Sequence, residues 1–64
     1  MTNKEKEKLF WNCIHYGEIL TVKNFNFTLG NIYMTLFHIK CNGKRHIFIK
    51  RNGKIIHHEE IKED

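Results

Sequence analysis

The sequence predicts an α+β fold, in which one N-terminal helix packs on a four-stranded antiparallel β-meander. Three observations support this class. Apolar residues recur at helical spacing near the N-terminus, β-branched and aromatic residues dominate after Gly17, and three short Gly/Asn pairs divide that second part. The 64 residues are enough for one domain, 1–64, with a thin core.

The helix is predicted over residues 3–16. Thr2 and Glu5 have the spacing of a capping box, in which a hydroxyl and a carboxylate satisfy N–H groups of the first turn. Gly17 is expected to end the helix, because glycine accepts the left-handed conformation that is common there. The apolar stripe consists of Leu9, Phe10, Cys13 and Ile14.

Four strands are predicted, at residues 19–29, 32–41, 44–51 and 54–60. Asn-Gly pairs favour type I′ hairpin turns, since both central residues of such a turn need positive φ. A Gly-Asn pair suits the type II′ turn, with glycine first. The three turns are therefore assigned to Gly30-Asn31, Asn42-Gly43 and Asn52-Gly53.

Two-residue turns fix the strand register, and the register assigns side chains to two faces of the sheet. With these turns, Leu29 lies opposite Ile32, Leu36 opposite Ile49, and Ile49 opposite Ile56. What we call the first face then holds Phe25, Phe27, Leu29, Ile32, Met34, Leu36, Ile47, Ile49 and Ile56, and the helix is expected to pack on it.

The opposite side, the second face, mixes rings, aliphatic residues and basic groups, and is expected to be the working surface. Leu20 and Val22 fit the first face if a β-bulge lies near Lys23-Asn24, and the second face without one. The candidate contact residues of the second face are Tyr33, Phe37, Phe48, Ile55, Lys44, His46, Lys50 and His57.

Composition and charge narrow the class of protein. The net charge is +4 and the pI about 9.3, with a basic middle and an acidic C-terminus. No apolar stretch resembles a signal peptide or a membrane span, and two cysteines are few for a secreted scaffold, so a cytoplasmic protein is expected. The abundance of Lys, Asn, Ile, Phe and Tyr is typical of AT-rich genomes, such as those of low-GC bacteria and their phages or mobile elements.

The preferred function is a non-enzymatic binding protein that binds, and inhibits, a host protein such as a nucleic-acid-processing or defence enzyme. Rings surrounded by charge are typical of interface cores. The alternative is a single-stranded nucleic-acid or RNA-binding module, with bases stacked on the rings and phosphates held by lysines. A third interpretation is a second small core covered by the termini.

Other chemistry finds little support in the sequence. No P-loop, dinucleotide fingerprint or paired mid-element carboxylates occur, and Cys41 with His46 lacks an obvious pocket. No zinc-type ligand spacing occurs either, so no enzyme, cofactor or metal is expected. A homodimer is expected, if one forms, through the last edge strand or the second face, with Ile55-Ile56-His57-His58 as the less guarded edge.

Overall fold

The computed structural model describes residues 2–27 and 30–62. It contains one helix, α1 (Asn3–Tyr16), followed by four strands, β1 (Glu18–Phe27), β2 (Ile32–Cys41), β3 (Lys44–Arg51) and β4 (Lys54–Lys62). The strands form one antiparallel sheet in the order β1-β2-β3-β4. The α+β meander predicted from the sequence is therefore confirmed. The predicted end of the first strand, at residues 28 and 29, lies outside the described residues.

The helix spans the predicted residues, and only the conformation of the glycine that follows it differs from the prediction. Thr2 Oγ1 accepts a hydrogen bond from Glu5 N at 3.2 Å, and the Glu5 side chain returns to the Thr2 backbone, which completes the capping box. Gly17 is extended, with φ −98° and ψ −177°, so the predicted left-handed conformation is wrong. Glycine is needed for space instead, because a Cβ there would lie 2.6 Å from Cys13 O and 2.7 Å from Lys40 O.

Both residues of each Gly/Asn pair have positive φ, although Gly30-Asn31 is only part of a longer connection, since Phe27 lies opposite Ile32. The values are 54° and 73° for Asn42-Gly43, 48° and 83° for Asn52-Gly53, and 89° and 51° for Gly30-Asn31. The Asn-Gly pairs thus fit type I′ as predicted. A type II′ turn has positive φ only at its first central residue, so that prediction for Gly30-Asn31 is wrong.

The predicted register is right for one hairpin and shifted in two. Leu36 lies opposite Ile49, as predicted. In the first hairpin Phe27, rather than Leu29, lies opposite Ile32, a shift of two residues that keeps each side chain on its predicted face.

The third hairpin is shifted by one residue, and one residue changes the face. A bulge between Ile49 and Lys50 leaves Ile56 as an extra residue, so Ile49 lies opposite His57 instead of Ile56. His57 therefore joins the first face and His58 the second, the reverse of the prediction.

A second bulge lies in β1, four residues from the predicted position. The register shifts between Ile19 and Thr21, so that Leu20 is the extra residue. Asn24 stays within the regular ladder, where its Oδ1 accepts a hydrogen bond from Thr35 Oγ1 at 3.0 Å. Val22 lies opposite Phe37 and so belongs to the second face, the placement expected without a bulge near Lys23-Asn24.

The helix covers the second face, and its predicted packing on the first is wrong. Phe10 contacts the rings of Phe37 and Phe48 edge to face, with centroids 4.9 and 5.2 Å apart. The reason lies in shape: the second face offers aromatic rings at its centre and a small residue where α1 comes closest. The buried apolar core is Phe10, Cys13, Ile39, Cys41, Phe48 and Ile55.

Candidate functional site

Most of the predicted contact residues lie beneath α1. Phe48 is 0% exposed and Ile55 5%, while Phe37 is half-buried against the core. The prediction of an exposed aromatic surface at these positions is therefore wrong. Tyr33 keeps 58% of its surface exposed, on backbone fixed by two hydrogen bonds to Asn52.

The two predicted basic groups of the second face already have partners within the chain. Lys44 Nζ lies 3.2 Å from Glu60 Oε1, and Lys50 Nζ lies 3.5 Å from Glu7 Oε2. Lys50 also sits 4.1 Å above the ring of Phe10. Lys50 therefore links the helix to the sheet, whereas Lys44 links β3 to β4, and neither forms an open phosphate site.

His46 and His58 form a stacked pair on the second face. His46 Nδ1 and His58 Nε2 are 3.1 Å apart, and the His58 ring stacks on Phe48 with centroids 4.6 Å apart. Burial lowers the pKa of both imidazoles, with the charge of Glu60 opposing the shift. The hydrogen bond between the rings requires at least one neutral imidazole, so it is lost when both rings are protonated.

Two free thiols lie in the core at the end of the helix. Cys13 is 0% exposed and Cys41 5%. Burial raises the pKa of Cys13 to about 12, and the neighbouring Cys41 adds to the shift through its charge and a hydrogen bond. A protonated buried thiol is a poor nucleophile, so this pair serves packing.

The surface that the structure leaves open is the first face. Within the described chain its apolar members are Phe25, Phe27, Ile32, Met34, Leu36, Ile47 and Ile49. Leu36 and Ile49 lie directly opposite each other on the two central strands, and Phe25 and Phe27 are 44% and 50% exposed. No helix or loop among residues 2–27 and 30–62 covers this side of the sheet, because α1 lies on the other.

Positive charge borders the apolar centre of the first face. Phe25 lies opposite Met34, and the same cross-strand row continues through Arg51 to Lys54. Lys23, on the edge strand, lies opposite Leu36. These three cations are exposed. Glu59, opposite Ile47, is an acidic residue of the same face. An apolar centre with a mainly basic border is the arrangement expected of a contact surface for an acidic partner.

The sequence identified the apolar residues of the first face correctly but assigned them to the core. In the structure Glu7 on the helix forms an ion pair with Lys50 on the second face, the side on which the helix packs.

Comparison with known proteins adds no relative: the chain matches no protein-family model, no curated protein and no solved structure. Within the part of the chain that the structure describes, no helix is long and apolar enough to cross a membrane. In the same residues, no three His, Cys, Asp or Glu side chains are placed so that they could hold a metal ion.

Proposed function

We propose that this chain is a small non-enzymatic binding protein that acts through the first face of its sheet. The observation that carries the proposal is the apolar surface around Leu36 and Ile49, which the helix leaves uncovered. Large exposed apolar patches bordered by polar residues mark interaction sites on proteins. The partner that this surface fits is another protein, with an apolar patch and an acidic border.

The composition adds a context for that partner. Short chains rich in the residues of AT-rich codons are typical of phages and mobile elements, whose small proteins often bind and inhibit host enzymes. We therefore infer that the target is a host protein, with a nucleic-acid-processing or defence enzyme as the leading class. Electrostatic complementarity to Lys23, Arg51 and Lys54 favours an acidic region of that enzyme.

A second candidate is single-stranded nucleic acid, because Phe25 and Phe27 are exposed rings near Lys23. Both rings lie on the edge strand, however, and the central strands present aliphatic residues. Bases stack on rings, whereas aliphatic centres suit protein partners. Protein is therefore the preferred partner.

The test is affinity capture from cells of the source organism, with and without nuclease, followed by a titration of the purified partner. The Leu36→Thr/Ile49→Thr variant places β-branched threonine, which suits a strand, at both positions and removes apolar area from the first face, and we expect at least a tenfold weaker affinity. The matched control is Val22→Thr/Tyr33→Thr, which changes two exposed residues of the second face and should bind as the parent does.

Two outcomes would contradict the proposal. One is equal binding by the Leu36→Thr/Ile49→Thr variant and the parent chain, provided that both are folded. The other is loss of every captured molecule after nuclease, together with an affinity that falls log-linearly with salt, which is the behaviour of phosphate contacts.

A further inference from the structure

The edge strand β1 is the most exposed apolar element of the molecule. Nine of its ten residues are exposed. Of the nine large hydrophobic side chains that are exposed in the described chain, five belong to β1, at 43–50% exposure: Ile19, Leu20, Val22, Phe25 and Phe27. An edge strand also presents unpaired N–H and C=O groups, so this strand offers both backbone and side chains to another strand.

The two edges of the sheet are protected to different degrees. β4 carries four charged residues in its nine positions and has a bulge at its second and third residues. In β1 the bulge lies near the start, at Leu20, which leaves Thr21–Phe27 as a regular stretch of seven residues. Between Ile19 and Phe27 the one charged residue is Lys23. Charges and bulges are the usual protection of an edge, so β1 is the unprotected one.

We propose that β1 pairs antiparallel with β1 of a second copy of this chain, forming a two-fold symmetric dimer with a continuous eight-stranded sheet. A strand that pairs with itself gives an isologous interface, which closes at two subunits. Its charge pattern fits this occupant. If the two-fold axis passes at Phe25, Lys23 faces Phe27 of the other copy, and if it passes at Asn24, Lys23 faces Phe25.

In both registers the lone cation of the strand meets an aromatic ring and not another cation. Dimerisation through the first face would instead bring Lys23, Arg51 and Lys54 of two copies together, on a chain with net charge +4. The neutral edge is therefore the surface at which two copies approach with the least repulsion.

The dimer would place two first faces side by side on one broad sheet. A partner with two matching patches would then be held at both, which raises the apparent affinity without any new contact. The pairing does not depend on the proposed function, because it uses the free backbone edge of β1, and the two are tested with different variants.

The test is the molar mass of the purified chain, measured by light scattering or sedimentation over about 5–500 µM. We expect the mass to rise toward twice 7.8 kDa. The Asn24→Lys/Asn26→Lys variant places lysines opposite lysines in both registers and should stay monomeric, while binding to the first face remains. The control, Asn3→Lys/Asn12→Lys, adds the same two charges on exposed helix positions and should dimerise as the parent does.

Hydrogen exchange provides a second measurement that needs no variant. Alternate amides of Thr21–Phe27 should exchange at least tenfold more slowly at high than at low concentration, since the new ladder protects them. A parent chain that remains monomeric at 500 µM overturns the proposal. So does a dimer whose β1 amides show no concentration-dependent protection, which would place the contact on another surface.

Discussion

Replacing Phe48 by alanine tests which face of the sheet the helix covers. Phe48 is 0% exposed and contacts the rings of Phe10 and His58. Truncation of a buried phenylalanine costs about 3–5 kcal/mol, because it removes apolar burial and leaves a cavity. A domain of this size has a total stability of roughly 3–10 kcal/mol, at about 0.05–0.15 kcal/mol per residue. We therefore expect Phe48→Ala to lose most or all of its cooperative unfolding.

The matched variant is Phe25→Ala, on the opposite face. Full burial of a phenylalanine side chain contributes roughly 1.5–3 kcal/mol to the free energy of unfolding. Because Phe25 is 44% exposed, truncation removes about half of that and leaves no closed cavity. We expect a loss of about 1 kcal/mol, and Phe48→Leu supplies an intermediate case within the ~0.5–3 kcal/mol range of most single substitutions.

The assay is urea unfolding followed by circular dichroism, at a protein concentration low enough to keep the chain monomeric. With a slope near 1 kcal/mol per molar urea for a small protein, the two alanine variants should differ in midpoint by about 2 M or more. If Phe25→Ala is the more destabilised of the two, the helix lies on the first face and the reasoning about the open surface fails.

Three further predictions concern pH, backbone space and thiols. Because burial lowers the folded pKa of His46 and His58, their contribution to stability is complete above the unfolded pKa of about 6.5 and falls as pH drops through the lowered values. Thermal unfolding should show this loss as the pH falls below about 6.5, and a His58→Phe variant should flatten it. Gly17→Ala should destabilise by about 1–3 kcal/mol in urea unfolding, because its Cβ would overlap two carbonyl oxygens; an unchanged midpoint would contradict the close approach. Cys13 and Cys41 should resist iodoacetamide at pH 8 in the folded chain and react in urea, as measured by mass spectrometry; rapid native labelling would contradict their burial.

The fold could be predicted because its signals are local. Thr2 with Glu5 marks the start of the helix, and the Asn-Gly pairs mark turns whose positive φ few other residues accept. Such patterns involve four neighbouring residues or fewer, so they can be recognised without knowledge of tertiary contacts. They were sufficient for the element order, the antiparallel sheet and the pairing of Leu36 with Ile49.

The bulges were harder to predict, because they depend on energies that no short motif encodes. The extra residue at Ile56 exchanges the faces of His57 and His58, and this lets an imidazole stack on Phe48 while Ile55 reaches the core. That gain comes from packing against the helix, which is a tertiary contact. A register derived from turns alone misses it by one position, and one position is enough to move a predicted contact residue to the other side of the sheet.

The choice of face was decided by the connection between α1 and β1 as much as by hydrophobicity, since both faces carry enough apolar area to attract a helix. That connection is one residue, Gly17, held between the carbonyl oxygens of Cys13 and Lys40. The helix end must therefore lie against the end of β2, where Cys41 projects on the second face and is small enough for close approach. A larger residue at that position would force the helix away, whereas the first face has Lys40 and Arg45 at the same level of the sheet. Charged side chains there disfavour helix docking, because a helix packed over them would remove their charges from water.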